Sequence, residues 1–316
     1  MEKRINHKNL KKFLLEVLQK AGLDKHSRMS VTTGLYEASL RGVDSHGVRL
    51  LNHYVLSAVK GRKNPKPNYK FYKSFPALGV LNADNAFGHA AGIKAIDICM
   101  KIANKLGVGI VAVKNSSHPG ALASMALRAA RKNYIAFAFT HADSLMLSHN
   151  GKKPYFGTNP ICFAAPRKNE EPFCLDMATT VSTFNQIQKY KEDGKKIPTG
   201  WAVDIDGNNT NDPNKVHSLL PIGGYKGFGL SMMVDIFCSL LSGMPFGPSV
   251  TAMFDGKLDN KRKLGHFFMV IDIKSFQDVD NFKSRMQKMV NMVRSEPTKD
   301  SNEKVMCPGD PEKKVK

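Results

Sequence analysis

Seven consecutive residues, Gly223-Gly-Tyr-Lys-Gly-Phe-Gly229, set four glycines around one lysine. Glycine lets backbone approach a ligand closely, and a helix N-terminus favours negative charge. Leu230, Met233, Val234, Phe237, Leu240 and Leu241 follow at i, i+3, i+4, i+7 spacing, which predicts a helix with a core-facing stripe. With the Lys226 ammonium added, the segment suits an anion such as a nucleotide phosphate or a carboxylate. A plain glycine-rich connector before a helix is the alternative.

Three other segments carry groups that can move or orient a proton. Gly42-Val-Asp-Ser-His-Gly47 puts His46 at the mouth of an expected helix, and histidine titrates near neutrality. Asn115-Ser-Ser-His-Pro-Gly120 follows one expected strand and precedes a helix. Ligands of α/β proteins gather at such carboxyl ends of strands, so His118 is a second acid/base or pocket-wall candidate. Leu175-Asp-Met-Ala-Thr-Thr-Val-Ser182 ends a strand in a carboxylate followed by hydroxyls. Asp176 can orient an imidazole, and the segment can hold phosphate or ribose. Each segment also reads as ordinary structure: a cap by Asp44 or Ser45, a turn with a capping serine, and a strand-end turn.

The elements that must position these groups alternate irregularly. Residues 8–21 and 27–41 read as helices, the second ended by Gly42, and a third runs from Asp44 or Ser45 to about Gly61. A strand and turn over 77–84, a helix from Gly88 to Leu106 and a buried strand over 109–114 come next. A helix to about Lys132 and strands at 135–140, 161–165 and up to Asp176 follow. Residues 183–196 are polar and helical in character, and 201–210 resemble a strand with a Gly207-Asn208 turn. A strand over 265–272, a helix from Phe276 to about Arg294 and a polar tail from Glu296, with three prolines, read as an extended arm, end the chain. The fold class expected is mixed-sheet α/β. No Gly-x-Gly-x-x-Gly lies between a first strand and a helix, so a dinucleotide would be held by something other than an ordinary Rossmann fold.

The 316 residues suffice for one large or two medium domains, with 42% hydrophobic and 23% charged residues, as in soluble globular proteins. No apolar run reaches the ~18 residues of a membrane helix. The amphipathic N-terminus carries Glu16 and no cleavage site, and reads as a first helix instead of a targeting peptide. Five scattered cysteines without a Cys-x-x-Cys pair fit reduced thiols in a cytoplasmic protein, and no metal motif is present. The net charge of +20 raises a nucleic-acid partner or an anionic ligand as readings. The basic residues are dispersed and no aromatic stripe interleaves with them, which favours solvated lysine over nucleic-acid binding.

In this order, Arg41-Gly-Val-Asp-Ser-His-Gly-Val48, Asn115-Ser-Ser-His118, Gly157-Thr-Asn-Pro-Ile161, Leu175-Asp-Met-Ala-Thr179, Ile197-Pro-Thr-Gly-Trp201, Gly223-Gly-Tyr-Lys-Gly227, Gly265-His-Phe-Phe268 and Pro308-Gly-Asp310 resemble the type 2, non-Rossmann malate/L-lactate dehydrogenase family. Its relatives act on ureidoglycolate, sulfolactate, diketogulonate and cyclic imino acids. The resemblance covers nearly the whole chain. It implies reversible hydride transfer between NAD or NADP and C2 of a small, anionic 2-hydroxy or 2-oxo acid such as malate or lactate. It implies a mixed sheet flanked by helices, usually in a homodimer. We expect an N-terminal helical portion over 1–75, with 273–316 packing on it, and a cofactor-binding portion over 76–272.

By the same resemblance, His46 is the proton donor or acceptor, Ser45 and Asp176 are its relay partners, and His118 is the proton acceptor assigned in some relatives. Cofactor contacts map onto His118, Gly120, Asp176, Met177, Ala178, Thr179, Ser182, Lys226, Gly227, Gly309 and Asp310. Substrate contacts map onto Arg49, His53, Thr158 and Asn159. The chain departs from the family at its substrate clamp. The usual arginine four residues after the histidine is Leu50, and Arg49 points about 100° away on a helix. A second, often basic, position is His53, and the usual Gly-Lys near 185 reads Asn185-Gln186. A cyclic imino-acid reductase and an inactive family member acting as a basic binding protein are the alternative readings.

Overall fold

The computed structural model describes residues 5–254 and 257–315. Its first two helices, α1 (His7–Lys20) and α2 (Lys25–Leu40), start at side-chain caps, Asn6 accepting from Lys8 N–H and Asp24 from Ser27 N–H. The third expected helix is broken. Two 3₁₀ turns, Asp44–His46 and Val48–Leu50, precede the shorter α3 (Leu51–Val59), because Gly47 between them is extended, with ψ −154°. Ser39 Oγ accepts the Val48 N–H freed by that break. His46 therefore sits on a tight turn and not on a helix.

The main sheet opens with the hairpin β1 (Lys70–Phe75) and β2 (Leu78–Asn82). Helix α4 (Gly88–Leu106) spans the residues expected from its periodicity and stops at Gly107, whose φ of +81° is left-handed. Then come β3 (Val108–Ser116), α5 (Ala123–Ala130), β4 (Tyr134–Thr140), the short β5 (Met146–Leu147) and β6 (Pro154–Phe156), β7 (Ile161–Ala165) and β8 (Phe173–Met177). Helix α6 (Phe184–Glu192), the two-residue strands β9 (Ala202–Val203), β10 (Asn209–Thr210) and β11 (Ser218–Leu219), and α7 (Tyr225–Asp235) lead to β12 (Leu264–Asp272), α8 (Val279–Arg294) and α9 (Asp310–Val315).

Seven strands form one sheet in the order β1-β2-β3-β12-β4-β7-β8, parallel only between β2 and β3. A second sheet runs β10-β9-β11-β5-β6. The fold class is thus mixed α/β, as the sequence indicates. Strand β12 is central and its side chains alternate. Phe268 and Val270 join Ile96, Cys99 and Met100 of α4 with Val111 and Val113 of β3 on one face. Phe267 meets Phe139, Val234, Phe237 and Cys238 on the other. A second core under α1–α3 gathers Leu14, Leu18, Val31, Leu35, Leu50, Leu51 and Tyr54 against Phe87 and Ala90. Helix α4 is shared by both cores, so it fixes the N-terminal helices to the sheet. Helix α8 buries Met286 and Val290 with Cys307 against Phe173, and Val315 lies on Gly42.

Two further expectations fail. The tail contains α9 and is not an extended arm throughout. The stripe after the glycine-rich segment is not all core-facing: Val234 is buried, whereas Leu230, Leu240 and Leu241 are exposed. The helix begins at Tyr225, inside the glycine-rich segment, and changes to a π-helical turn over Ile236–Leu240, which rotates the later side chains off the α-helical stripe.

Candidate active site

The His46 turn, the β3–α5 loop and the end of β8 converge on one cleft. Its lining includes Glu37, Arg41, Ser45, His46, Gly120, Thr158, Asp176, Ala178, Thr183, Gly309 and Glu312, and it holds about 990 Å³ with its mouth included. The imidazoles of His46 and His118 stack with 5.5 Å between centroids and 20° between planes. Each has Nδ1 tied to a hydroxyl at 2.8 Å, His46 to Ser45 Oγ and His118 to Tyr54 Oη. Neither Nε2 has a hydrogen-bond partner among the described residues, so these are the nitrogens left for a ligand. Burial pushes His46 down to about 4 and His118 well below the usual histidine range, and a proton on His118 would also be opposed by the basic groups around it, His46, Arg262, Lys63 and His89. Both rings are neutral at pH 7.

Asp176 shares the cleft with His46 but makes no hydrogen bond to it. Its Oδ2 accepts the Ala123 N–H at 2.8 Å, holding the start of α5 to β8. The carboxylate meets water inside the cleft yet has protein on most sides. That desolvation, with Glu312 nearby, pushes its pKa up to about 6.

Gly120 has φ +70°, and a Cβ there would lie 2.3 Å from His89 Nε2, so the loop needs glycine to pass the buried imidazole. Thr179 is buried, donating from Oγ1 to the Thr158 carbonyl at 3.0 Å, while Thr158 lines the cleft. Met177 ends β8 and Ser182 is buried one residue before the Thr183 cap of α6.

Several expected contact residues have other engagements. Asn159 is fully buried, accepting from Ala142 N–H and donating to the Ser231 carbonyl and Asp235 Oδ2, which joins the cleft floor to α7. Arg49 reaches Glu192 Oε1 at 3.4 Å, an exposed pair of small stabilising effect. Leu50 is buried in the N-terminal core, so the altered clamp position has no route to a carboxylate. His53 packs on Phe254 with centroids 5.1 Å apart, and burial beside Lys63, Arg62 and Arg262 pushes it down to about 4. Asp310 is bound to Arg294 through Nε and Nη2 and accepts the Cys307 N–H, which holds its carboxyl down at about 2. Gly309 beside it faces the cleft.

Lys226 lies in the first turn of α7, exposed and without a hydrogen bond or ion pair among the described residues. It is outside the cleft lining, but the preceding residues are stitched to the Asp176–Ser182 segment: Ile222 N–H donates to the Thr179 carbonyl and Val181 N–H to that of Leu220. Gly227 is required by packing, since a Cβ would fall 2.0 Å from the Ile222 carbonyl oxygen. Gly227→Ala is expected to disrupt the turn and lower the soluble yield, read against Lys226→Ala expressed in parallel.

Sequence reasoning missed Tyr54 and Lys63, and read Asn185 only as a departure from the family pattern. Asn185 Nδ2 donates to the Ser45 carbonyl at 2.9 Å and docks α6 on the His46 turn. Among the described residues no group of three His, Cys, Asp or Glu side chains is arranged to hold a metal ion. No described helix is long and apolar enough to cross a membrane.

The malate/L-lactate dehydrogenase family profile matches residues 5–316. The chain belongs to that family. It is 37% identical to a malate dehydrogenase of Pyrococcus abyssi over 302 residues, covering 92% of this chain and 82% of the relative. It is 34% identical to the NAD(+) ureidoglycolate dehydrogenase of Escherichia coli K12 over 283 residues, covering 90% and 81%. The fold superposes on the crystal structure of malate dehydrogenase from Entamoeba histolytica with TM-score 0.94 and 29% identity, covering 100% of this chain and 91% of that one. Within the family, the paired imidazoles and the cleft beside β8 correspond to the segments that carried the resemblance.

Proposed function

We propose that this protein transfers a hydride between the nicotinamide of NAD or NADP and C2 of a small 2-hydroxy or 2-oxo acid. The single observation that carries the reading is the stacked pair of neutral imidazoles, both with Nε2 open, beside a cleft walled by the end of β8. Malate, lactate and related acids are the substrate class. Family membership makes the chain a nicotinamide-dependent dehydrogenase, and the substrate is the finer part of the proposal.

The cleft fits a ribose-bearing cofactor in its donor set. Glu37, Asp176 and Glu312 offer carboxylates that accept from sugar hydroxyls, and Thr158 and Ala178 border them. Lys226 supplies a cation for phosphate at the first turn of α7. When bound, nicotinamide supplies a hydride acceptor or donor. In the oxidising direction C2 gives up its hydrogen with the bonding pair, and the hydroxyl proton passes to His46 Nε2 as the C–O bond becomes double. Ser45 holds Nδ1 of His46 and so keeps that nitrogen aimed away from the substrate.

The test is titration of the purified protein with NADH and NADPH, followed by nicotinamide fluorescence, and then a screen of 2-hydroxy acids, 2-oxo acids and cyclic imino acids. Saturable binding that survives high salt, with turnover of a 2-hydroxy acid, is the expected result. Preference for a cyclic imine would move the protein to the reductase reading, and no binding at all would sink both. Lys226→Ala is expected to raise the cofactor dissociation constant about tenfold, the loss of one charge-assisted contact. Unchanged binding would remove Lys226 from the site.

We also infer a homodimer. Tyr225, Leu230, Met232, Ile236, Leu240 and Leu241 leave an apolar face on α7 and the turn after it, a surface that monomers rarely leave bare. Light scattering is expected to give twice the chain mass. The five cysteines are all buried and unpaired, which supports a reducing compartment such as the cytoplasm.

A further inference from the structure

Tyr54 is the hub of an unusual buried cluster. Lys63 Nζ, whose pKa burial and the neighbouring Arg262 and Arg62 push well below the usual lysine range, lies 3.8 Å from the centroid of its ring. Phe87 and His89 meet the ring edge-on at 6.1 and 5.4 Å. Tyr54 is fully buried, and Lys63 and His89 are 1% exposed. Neither Lys63 Nζ nor either nitrogen of His89 has a hydrogen-bond partner among the described residues. The ring is therefore packed by Lys63 and two rings set nearly perpendicular to it, none of which bonds to its hydroxyl. That hydroxyl has one described partner, His118 Nδ1, 2.8 Å away and 64 residues on in sequence.

One bond can satisfy this pair in only one way. If His118 carried its hydrogen on Nδ1 and donated to Tyr54 Oη, the phenolic hydrogen would be buried with nowhere to go, at a cost of about 1–3 kcal/mol. If Tyr54 donates to the lone pair on Nδ1, donor and acceptor are both satisfied. Desolvation raises the tyrosine pKa far above its ordinary value, so the phenol keeps its hydrogen at any working pH. Burial keeps the His118 ring neutral, and the groups facing it, His46, Arg262, Lys63 and His89, are all basic, so none offers a negative charge to hold a second proton. A neutral ring with a lone pair on Nδ1 bears its one hydrogen on Nε2.

We propose that Tyr54 is a positioning residue that locks His118 in the Nε2–H tautomer, making His118 a fixed hydrogen-bond donor and not the base. The proposal rests on the dehydrogenase reading for what the donor meets. The C2 oxygen of the substrate donates its hydrogen to His46 Nε2 and accepts from His118 Nε2–H. His118 gives up no proton in either direction. It holds the oxygen as hydroxyl and as carbonyl, with the stronger hydrogen bond where negative charge grows on that oxygen.

The tautomer can be read without turnover. Long-range proton–nitrogen correlation spectra of the full-length protein labelled with ¹⁵N-histidine distinguish a protonated from an unprotonated ring nitrogen, and the His118 signals are assigned by their loss in His118→Gln. At pH 7.5 the expected result is hydrogen on Nε2 and an unprotonated Nδ1. Hydrogen on Nδ1 would overturn the proposal, whatever the enzyme does with hydroxy acids. Tyr54→Phe keeps the ring and removes only the hydroxyl. It is expected to mix the two tautomers and to lower kcat about tenfold, with the NADH dissociation constant within about twofold of wild type. A variant with an unmixed tautomer and unchanged kcat would equally overturn it. Absence of turnover in the wild type, with Nε2–H observed, would count against the dehydrogenase reading and leave the lock standing.

Discussion

His46→Gln is expected to lower kcat about 10²–10⁴-fold, the usual contribution of a positioned acid/base. The dissociation constant for NADH should stay within about twofold. Glutamine retains a polar group of similar reach beside Ser45 but cannot accept and return a proton at neutral pH. Single-turnover rates and fluorescence titration separate the two quantities, and an equal loss of both would make His46 a structural residue. The pH profile carries a sign of its own. Burial holds His46 at about 4, so in the free enzyme the ring is a neutral base above that pH. For oxidation, kcat/KM per folded enzyme is expected to stay level with respect to His46 down to about pH 5, and below that the His46 limb and acid unfolding lower the observed rate together. For reduction, which needs the protonated ring, kcat/KM rises as pH falls from 8 toward 5. A bound carboxylate favours the imidazolium, so the same limb in kcat moves to higher pH. An oxidation profile with its acid limb near 6.5 would mean that the ring is solvated in the working enzyme.

The parts legible in the chain were those with one strong period or one tight local motif. Gly88–Leu106 reads as α4 because its apolar face is long and a left-handed glycine ends it. Strand β12 reads clearly because both its faces are covered. Strand β1 does not, since five of its six residues are exposed and no buried face imposes alternation. The break at Gly47 is invisible because Asp44, Ser45 and the following apolar residues satisfy the rules for a helix start. Only the extended Gly47 separates turn from helix.

Ser45, His46, His118 and Asp176, singled out from short segments that keep their chemistry together, lie at or beside one cleft. Tyr54 and Lys63 were not singled out, because their meeting with His118 depends on how α3 lies over the β3–α5 loop. A tyrosine on the buried stripe of a helix was the available signal, since its hydroxyl has to find a partner. The family comparison pointed to Leu50 as an altered clamp, and its burial shows that this change is absorbed by the N-terminal core. His53 in turn packs on Phe254, with its imidazole pushed down by burial beside Lys63, Arg62 and Arg262.

Acid is expected to unfold this protein at a mild pH. His89, His141 and His266 are buried, and each is pushed from 6.5 down to about 3 by desolvation. In the unfolded chain they take up protons below 6.5; in the fold they do not until about 3. The unfolded state thus binds more protons across this window, and stability falls as pH falls. At pH 5 each such imidazole costs about 2 kcal/mol, and the three together about 6 kcal/mol, comparable with the ~5–15 kcal/mol by which domains are stable. The nearest relief is weak. Asp235 Oδ1 is 3.9 Å from His141 Nδ1, but burial raises that carboxyl too, and Ser239 and Asn159 already occupy it. His266 is held by Thr140 and Ser116 hydroxyls, which suit a neutral ring. Urea unfolding between pH 4 and 6 should therefore show a slope to which these three residues contribute about three protons, with His46, His53 and His118 adding to it and the raised carboxyl of Asp176 subtracting from it. His89→Gln should lose about one of them, because its ring nitrogens have no partner among the described residues whose loss would mask the effect. Stability independent of pH from 7 to 5 would mean that these imidazoles are charged and paired in solution, and with them the neutral state assigned to His46 and His118 would fall.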